Sequence, residues 1–105
     1  MALDDQGYVW TWGYNGQGQL GTGDTTSRSS PQRIPRSYFG GERVTDILAM
    51  GSSADGWSYA RVTSDNIYAW GRNNEYQLGV GDTTNRYRPT KMTNWDPVAN
   101  AGIRK

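Results

Sequence analysis

An all-β chain made of two similar sheet modules is what this sequence predicts, and three observations carry the expectation. The segment from Trp12 to Thr26 returns as the segment from Trp70 to Thr84 at a constant offset of 58 residues. That offset holds without a gap from Ala2/Ala60 to Pro31/Pro89, with 13 of 30 positions identical, whereas unrelated segments agree at about one position in twenty. A strand pattern leads into each copy: Tyr8, Trp10 and Trp12 alternate with Val9 and Thr11, and Tyr68 and Trp70 alternate with Ile67 and Ala69. Glycine punctuates the rest, and no stretch reads as a helix of ordinary length. A period of 58 residues is long for a helical repeat and suits several short strands, the size of one propeller blade.

The elements follow in chain order. The strand through Tyr8 to Trp12 carries bulky residues on one face and small ones on the other, so both faces are expected to be buried. A sheet stacked between two others needs that arrangement, because its large face fills the space beside the next sheet's small face. Gly13, Asn15, Gly21 and Gly23, with Gly71, Asn73, Gly79 and Gly81, are types that adopt positive φ cheaply and read as turn and bulge positions. Leu20 and Leu78 are lone apolar residues in polar loops and read as anchors. Pro31 to Pro35 reads as a short outer strand, its prolines suiting an edge. Arg36 to Gly41 is a loop, Val44 to Gly51 an inner strand, Trp57 to Val62 the second and Asn66 to Trp70 the third. Pro89 to Met92 is the outer strand of that sheet, and Pro97 to Gly102 is another inner strand.

The repeated residues resemble the family of repeats named after the regulator of chromosome condensation, whose pattern runs roughly Gly-x-Val-x-x-Trp-Gly-x-Asn-x-x-Gly-Gln-Leu-Gly-x-Gly followed by Pro. The first copy matches at Gly7, Val9, Trp12, Gly13, Asn15, Gly18, Gln19, Leu20, Gly21, Gly23 and Pro31. The second matches at Ile67, Trp70, Gly71, Asn73, Gln77, Leu78, Gly79, Gly81 and Pro89. Asp65 and Tyr76 stand where the family has glycine, and the family's histidine is absent because the chain has none. The resemblance implies β-propeller blades of four-stranded antiparallel sheets, two per chain. For the namesake it also implies chromatin contact and guanine-nucleotide exchange, and for other members protein-binding or inhibitory roles. No residue here matches one specific to exchange.

Strand order sets the expected domains. Residues 1–43 form a first repeat without its own inner strand, 44–94 a complete blade, and 95–105 an inner strand that closes a blade of a neighbouring chain, with Val98, Ala99, Ala101 and Gly102 in that strand. Two blades alone would expose large sheet faces. Head-to-tail closure by copies of the chain is therefore expected, three chains giving a six-bladed ring and four an eight-bladed one, the trimer being favoured. The alternative is part of a longer single-chain propeller.

Composition narrows the chemistry. With 11 basic and 10 acidic side chains the net charge is +1, which gives no strong bias toward nucleic acid, although Arg86, Arg88 and Lys91 flank Tyr87. Cysteine and histidine are absent, so the commonest general base and thiolate ligands are missing, and no enzymatic role or cofactor is expected. Gly16 to Gly21 fits the dinucleotide fingerprint in letters but opens no helix. Asp24 and Asp82 offer one carboxylate per loop, which suits bonds to nearby backbone N–H groups better than a metal. No apolar run reaches the length of a membrane span and the first residues lack the parts of a signal peptide, so a soluble chain, intracellular or part of a larger assembly, is expected. Within the repeated loop Tyr14 becomes Arg72, Gly16 becomes Asn74, Gln17 becomes Glu75 and Gly18 becomes Tyr76. Such variable positions are expected on an exposed rim, making Tyr14, Gln17, Arg72, Asn74, Glu75 and Tyr76 the candidate contacts for a protein partner.

Overall fold

A computed structural model describes residues 1–50 and 56–93. Among them seven strands form two antiparallel sheets. The first holds β1 (Ala2–Leu3), β2 (Val9–Gly13) and β3 (Arg28–Arg33) in the order β1-β2-β3. The second holds β4 (Val44–Met50), β5 (Trp57–Val62), β6 (Ile67–Gly71) and β7 (Arg86–Lys91) in the order β4-β5-β6-β7. The anticipated all-β architecture is borne out. No helix among the described residues is long and apolar enough to cross a membrane.

The sequence repeat is also a repeat of hydrogen-bond register. Across β2 and β3, Trp10 faces Arg33, Thr11 faces Gln32 and Gly13 faces Arg28. The residues 58 positions later reproduce this pairing as Tyr68 with Lys91, Ala69 with Thr90 and Gly71 with Arg86, including the bulge before the glycine. Ala2 with Trp10 and Leu3 with Val9 likewise become Ala60 with Tyr68 and Arg61 with Ile67. In both copies the bulge glycine has a φ above 100°, a conformation that costs a residue with a Cβ.

Two strands are placed differently from the sequence reading. The outer strands run over Arg28–Arg33 and Arg86–Lys91, not over Pro31 to Pro35 and Pro89 to Met92. The bulge at Gly13 and Gly71 lets Arg28 and Arg86 join the ladder early, so each strand starts sooner. Pro35 lacks an N–H and turns the chain into a short 3-10 turn, Arg36–Phe39, where a plain loop was expected. That turn ends at Gly40 in the left-handed region and buries Phe39. Pro31 and Pro89 still sit in edge strands, where a missing donor costs no ladder bond.

The two sheets pack face to face. Val9, Ile34 and Phe39 from the first half meet Val44, Ala60, Val62 and Trp70 from the second in one buried cluster, with Leu3 and Tyr68 at its border. The Trp70 ring lies edge-on to Phe39 at 5.8 Å, and its indole N–H donates to the Gln19 carbonyl at 2.9 Å. Backbone bonds bridge the join: the Val44 N–H donates to the Gly7 carbonyl at 3.1 Å and the Gly23 N–H to the Tyr87 carbonyl at 2.7 Å. The small face of β2 therefore meets the large face of β6, as the alternation anticipates.

Burial of both faces is found in β6, at Ala69 and Trp70, whereas β2 is fully buried on its small face alone. Trp12 is 43% exposed although its counterpart Trp70 is fully buried, because the first sheet's bulky face has no neighbouring sheet among the described residues. On the far side, Leu48 is 55% exposed for the same reason. Trp70→Ala should cost about 3–5 kcal/mol of folding stability, while Trp12→Ala in a dilute sample should cost about 1 kcal/mol or less. Urea denaturation at low protein concentration measures both.

Candidate protein-binding rim and open sheet faces

Each repeated loop is built around a buried asparagine. Asn15 is fully buried: its side-chain N–H₂ donates to the carbonyls of Asp24 (2.9 Å) and Thr26 (3.0 Å), and its Oδ1 accepts the Leu20 N–H at 2.9 Å. Asn73 does the same with Asp82 (2.8 Å), Thr84 (3.0 Å) and Leu78 (3.0 Å). Each asparagine opens a turn, as expected, its carbonyl accepting the N–H three residues on (Gly18 at 3.0 Å, Tyr76 at 3.3 Å), but neither has the positive φ that was expected with it. Asparagine is required because it alone among short side chains offers a double donor and an acceptor at that reach. Leu78 packs with Ala69 and Val80 beneath its loop, and Leu20 is buried under the other.

The loop carboxylates are engaged. Asp24 Oδ1 accepts from the Thr26 N–H at 3.1 Å and its Oδ2 pairs with Arg28 at 2.7 Å; Asp82 repeats this with Thr84 and Arg86, both at 3.0 Å. The Thr26 N–H, then the Thr22 hydroxyl and Arg28, hold Asp24 below its ordinary carboxylate pKa, despite opposing desolvation. Arg86, then the Thr84 N–H, does so for Asp82. Arg28 and Arg86 are thus tied down, and Arg33 and Arg36 lie over the Tyr8 ring at 4.5 and 4.1 Å. Among the described residues no three His, Cys, Asp or Glu side chains are grouped to hold a metal.

The six rim candidates do not form one uniform set. Tyr14 is half exposed, its hydroxyl end folded over Gly16. Asn74 and Glu75 are exposed, with the Gln77 side chain bridging the Asn74 side chain and the Glu75 N–H. Tyr76 is 65% exposed with φ of 61°, in the left-handed region where its counterpart Gly18 also sits. Arg72 is half-buried. Gln17 departs most from the expectation, because its Oε1 accepts from the Asn85 side chain at 2.8 Å and so ties the first loop to the second. The strand expected from Val98, Ala99, Ala101 and Gly102 lies outside the described residues.

The open sheet faces expected of two blades carry hollows whose places the sequence did not show. A cleft of about 230 Å³ opens beside Thr11, Trp12 and Gly13, where β1 is too short to pair, since it meets only Trp10 and Val9. In the second sheet β5 covers the matching residues Ala69, Trp70 and Gly71. A second, more apolar hollow of about 380 Å³ lies on the outer face of that sheet, among Ile47, Leu48, Tyr59, Arg61, Ile67 and Met92. Mapping each buried residue of one copy onto the other would have revealed both.

Two stacked antiparallel sheets, joined by a bulged strand and an asparagine-centred loop repeated in register, define a β-propeller blade pair. The description "Regulator of chromosome condensation (RCC1) repeat" matches residues 6–53 and 64–100, and the chain belongs to that family. It is 37% identical over 91 residues to the ultraviolet-B receptor UVR8 of Arabidopsis thaliana, which covers 85% of this chain and 19% of that protein. Among solved structures it resembles human WBSCR16 with a TM-score of 0.70 and 28% identity, covering 87% of this chain and 23% of the other. It also resembles Prp20p from Saccharomyces cerevisiae, whose structure was described with its binding properties to Gsp1p and histones, with a TM-score of 0.64 and 30% identity over 90% of this chain and 23% of that one. The chain spans less than a quarter of the length of each.

Asn73→Ala leaves the Leu78 N–H and two loop carbonyls without their partner, and should cost about 3 kcal/mol in urea denaturation. Because Asp24 and Asp82 are more acidic folded than unfolded, their stabilisation is complete above the ordinary value of 3.8 and is lost as pH falls below it toward the folded values. The urea midpoint should accordingly fall on acidification below about pH 4, and Asp82→Asn should flatten that slope while lowering the midpoint at neutral pH.

Proposed function

We propose that this chain is a non-enzymatic β-propeller scaffold that assembles with copies of itself into a ring and binds protein partners through its rim loops. The observation that carries the reading is the contrast between Trp12, 43% exposed, and Trp70, fully buried at the equivalent place. An indole of that size on an open sheet face favours a covering sheet, and a large apolar patch is the usual mark of an interaction surface. Three chains of two blades would make six, within the common range for propellers. In this reading residues 1–43 and 44–94 are the two blades, and Val98, Ala99, Ala101 and Gly102 complete the first blade of the neighbouring chain.

Of the six rim candidates the contact with another protein falls to Tyr14, Arg72 and Asn74, since Gln17 is engaged between the loops and Glu75 and Tyr76, the counterparts of Gln17 and Gly18 at the existing junction, are assigned to the contact between copies. A protein partner suits these residues better than nucleic acid, because Arg28 and Arg86 are already paired to carboxylates. No cofactor is assigned to the scaffold. A second reading, a regulatory module of the exchange-factor or inhibitor kind, is favoured by the 30% identity to Prp20p, which binds Gsp1p and histones.

Light scattering across a concentration series tests the assembly. The expected result is a mass about three times that of one chain, with four times as the nearest variant. A single-chain mass at all concentrations would overturn the ring. Tyr14→Ala with Arg72→Ala should leave that mass unchanged and lower capture of partner proteins by about tenfold.

A further inference from the structure

We propose that a second copy of this chain docks its β1–β3 face, open among the described residues, onto the β4–β7 face, open in the same sense, repeating between chains the junction already made within one, with Tyr76 lying over the partner's Ser29. The inference rests on the assembly reading above and assigns its junction. Because sequence and register both repeat at an offset of 58, each residue inside the existing join has a counterpart on an open face. The question is whether those counterparts fit one another.

Four exchanges indicate that they do. Within the chain the Trp70 indole donates to the Gln19 carbonyl at 2.9 Å. Its counterpart Trp12 makes no hydrogen bond from its indole among the described residues, and the counterpart acceptor is the Gln77 carbonyl, at present bonded only by the Tyr59 hydroxyl and with a lone pair to spare. Within the chain Gln17 accepts from the Asn85 side chain. The counterparts are Glu75 and Ser27, a carboxylate acceptor and a hydroxyl donor. Leu3 and Val62 both belong to the inter-sheet core. Their counterparts are Arg61 and Asp4, so an apolar contribution from each side is replaced by opposite charges, Arg61 already paired with Asp46 and Asp4 already accepting from the Trp10 indole, which would meet at the margin of the junction.

The fourth exchange is one of size. Gly18 lies against Tyr87: a Cβ there would fall 2.4 Å from the Tyr87 ring, 2.8 Å from its Cα and 3.0 Å from the Arg86 carbonyl oxygen. Between copies the glycine position holds Tyr76 and the tyrosine position holds Ser29, so the ring comes from the other side. The close approach to the backbone remains, whatever side chain the partner carries. The second copy therefore stands slightly farther off at this point than the sheets do within one chain, and the Tyr76 ring fills the opening. Such a junction is heterologous, one face meeting a different face, and so it propagates from copy to copy, closing into a ring where the rotation per copy divides a full turn.

Sedimentation velocity on four versions of the chain tests this: wild type, Ser29→Tyr, Tyr76→Gly, and the double variant. Ser29→Tyr sets two rings in one place and should weaken association by about tenfold or more. Adding Tyr76→Gly restores the glycine–tyrosine pairing used within the chain and should recover wild-type association. Both positions are exposed, and matching urea midpoints establish that the variants fold. A wild-type chain that stays monomeric overturns the assembly reading and this junction together, and leaves the open faces to a different protein or a further blade. Assembly that is unaffected by Ser29→Tyr, or a defect that Tyr76→Gly does not repair, overturns the junction alone.

Discussion

The packing of one sheet's small face against the next sheet's large face is the constraint on which the structure depends. β2 presents Val9 inward and β6 presents Tyr68 and Trp70, and the space between them closes only because one side is slight where the other is bulky. A blade of this kind cannot finish its own core. Its alternating strands give it two apolar faces, and the second face needs another sheet as much as the first did. The half-exposed Trp12 and the hollow beside Ile67 and Met92 are the two unfinished ends of that rule.

The loops serve this packing as well as terminating strands. Asn15 and Asn73 draw each loop tight over its sheet by satisfying backbone groups that would otherwise be buried without partners. In the first repeat the folded loop then supplies the Gln19 carbonyl to Trp70 and the Gln17 amide to Asn85. The loop is thus a wall of the next blade's socket. In the second repeat the equivalent wall carries Glu75 and Tyr76, and Tyr76 holds a left-handed backbone that glycine would adopt more easily. A strained, exposed aromatic at that point is consistent with a contact role, since such strain persists where the surroundings or the function hold it in place.

Much of the fold was legible in the sequence because repetition exposes register directly. The offset of 58 fixed which strands are equivalent, and the alternation through Trp10 and Trp12 gave the two faces. Strand limits at Arg28 and Arg86 were not legible, since they depend on a bulge that reaches across to a residue fifteen positions away. The asparagines were legible as turn residues but not as the buried centre of each loop, since only the closed loop shows three polar groups converging on the side chain. Of the rim candidates, Gln17 could not be separated from the exposed positions by sequence variation alone. Its partner Asn85 comes from the other blade, and contacts between repeats leave no mark in the comparison of one repeat with the next.

The account turns on whether the open faces are complementary halves of one junction, and exchange of the Trp12 indole proton with solvent deuterium, followed by NMR as protein concentration rises, tests that most directly. The account predicts free exchange when dilute and, on concentration, slowing toward the protection of the Trp70 indole. A Trp12 proton that exchanges freely at every concentration, while that of Trp70 stays protected, would contradict it.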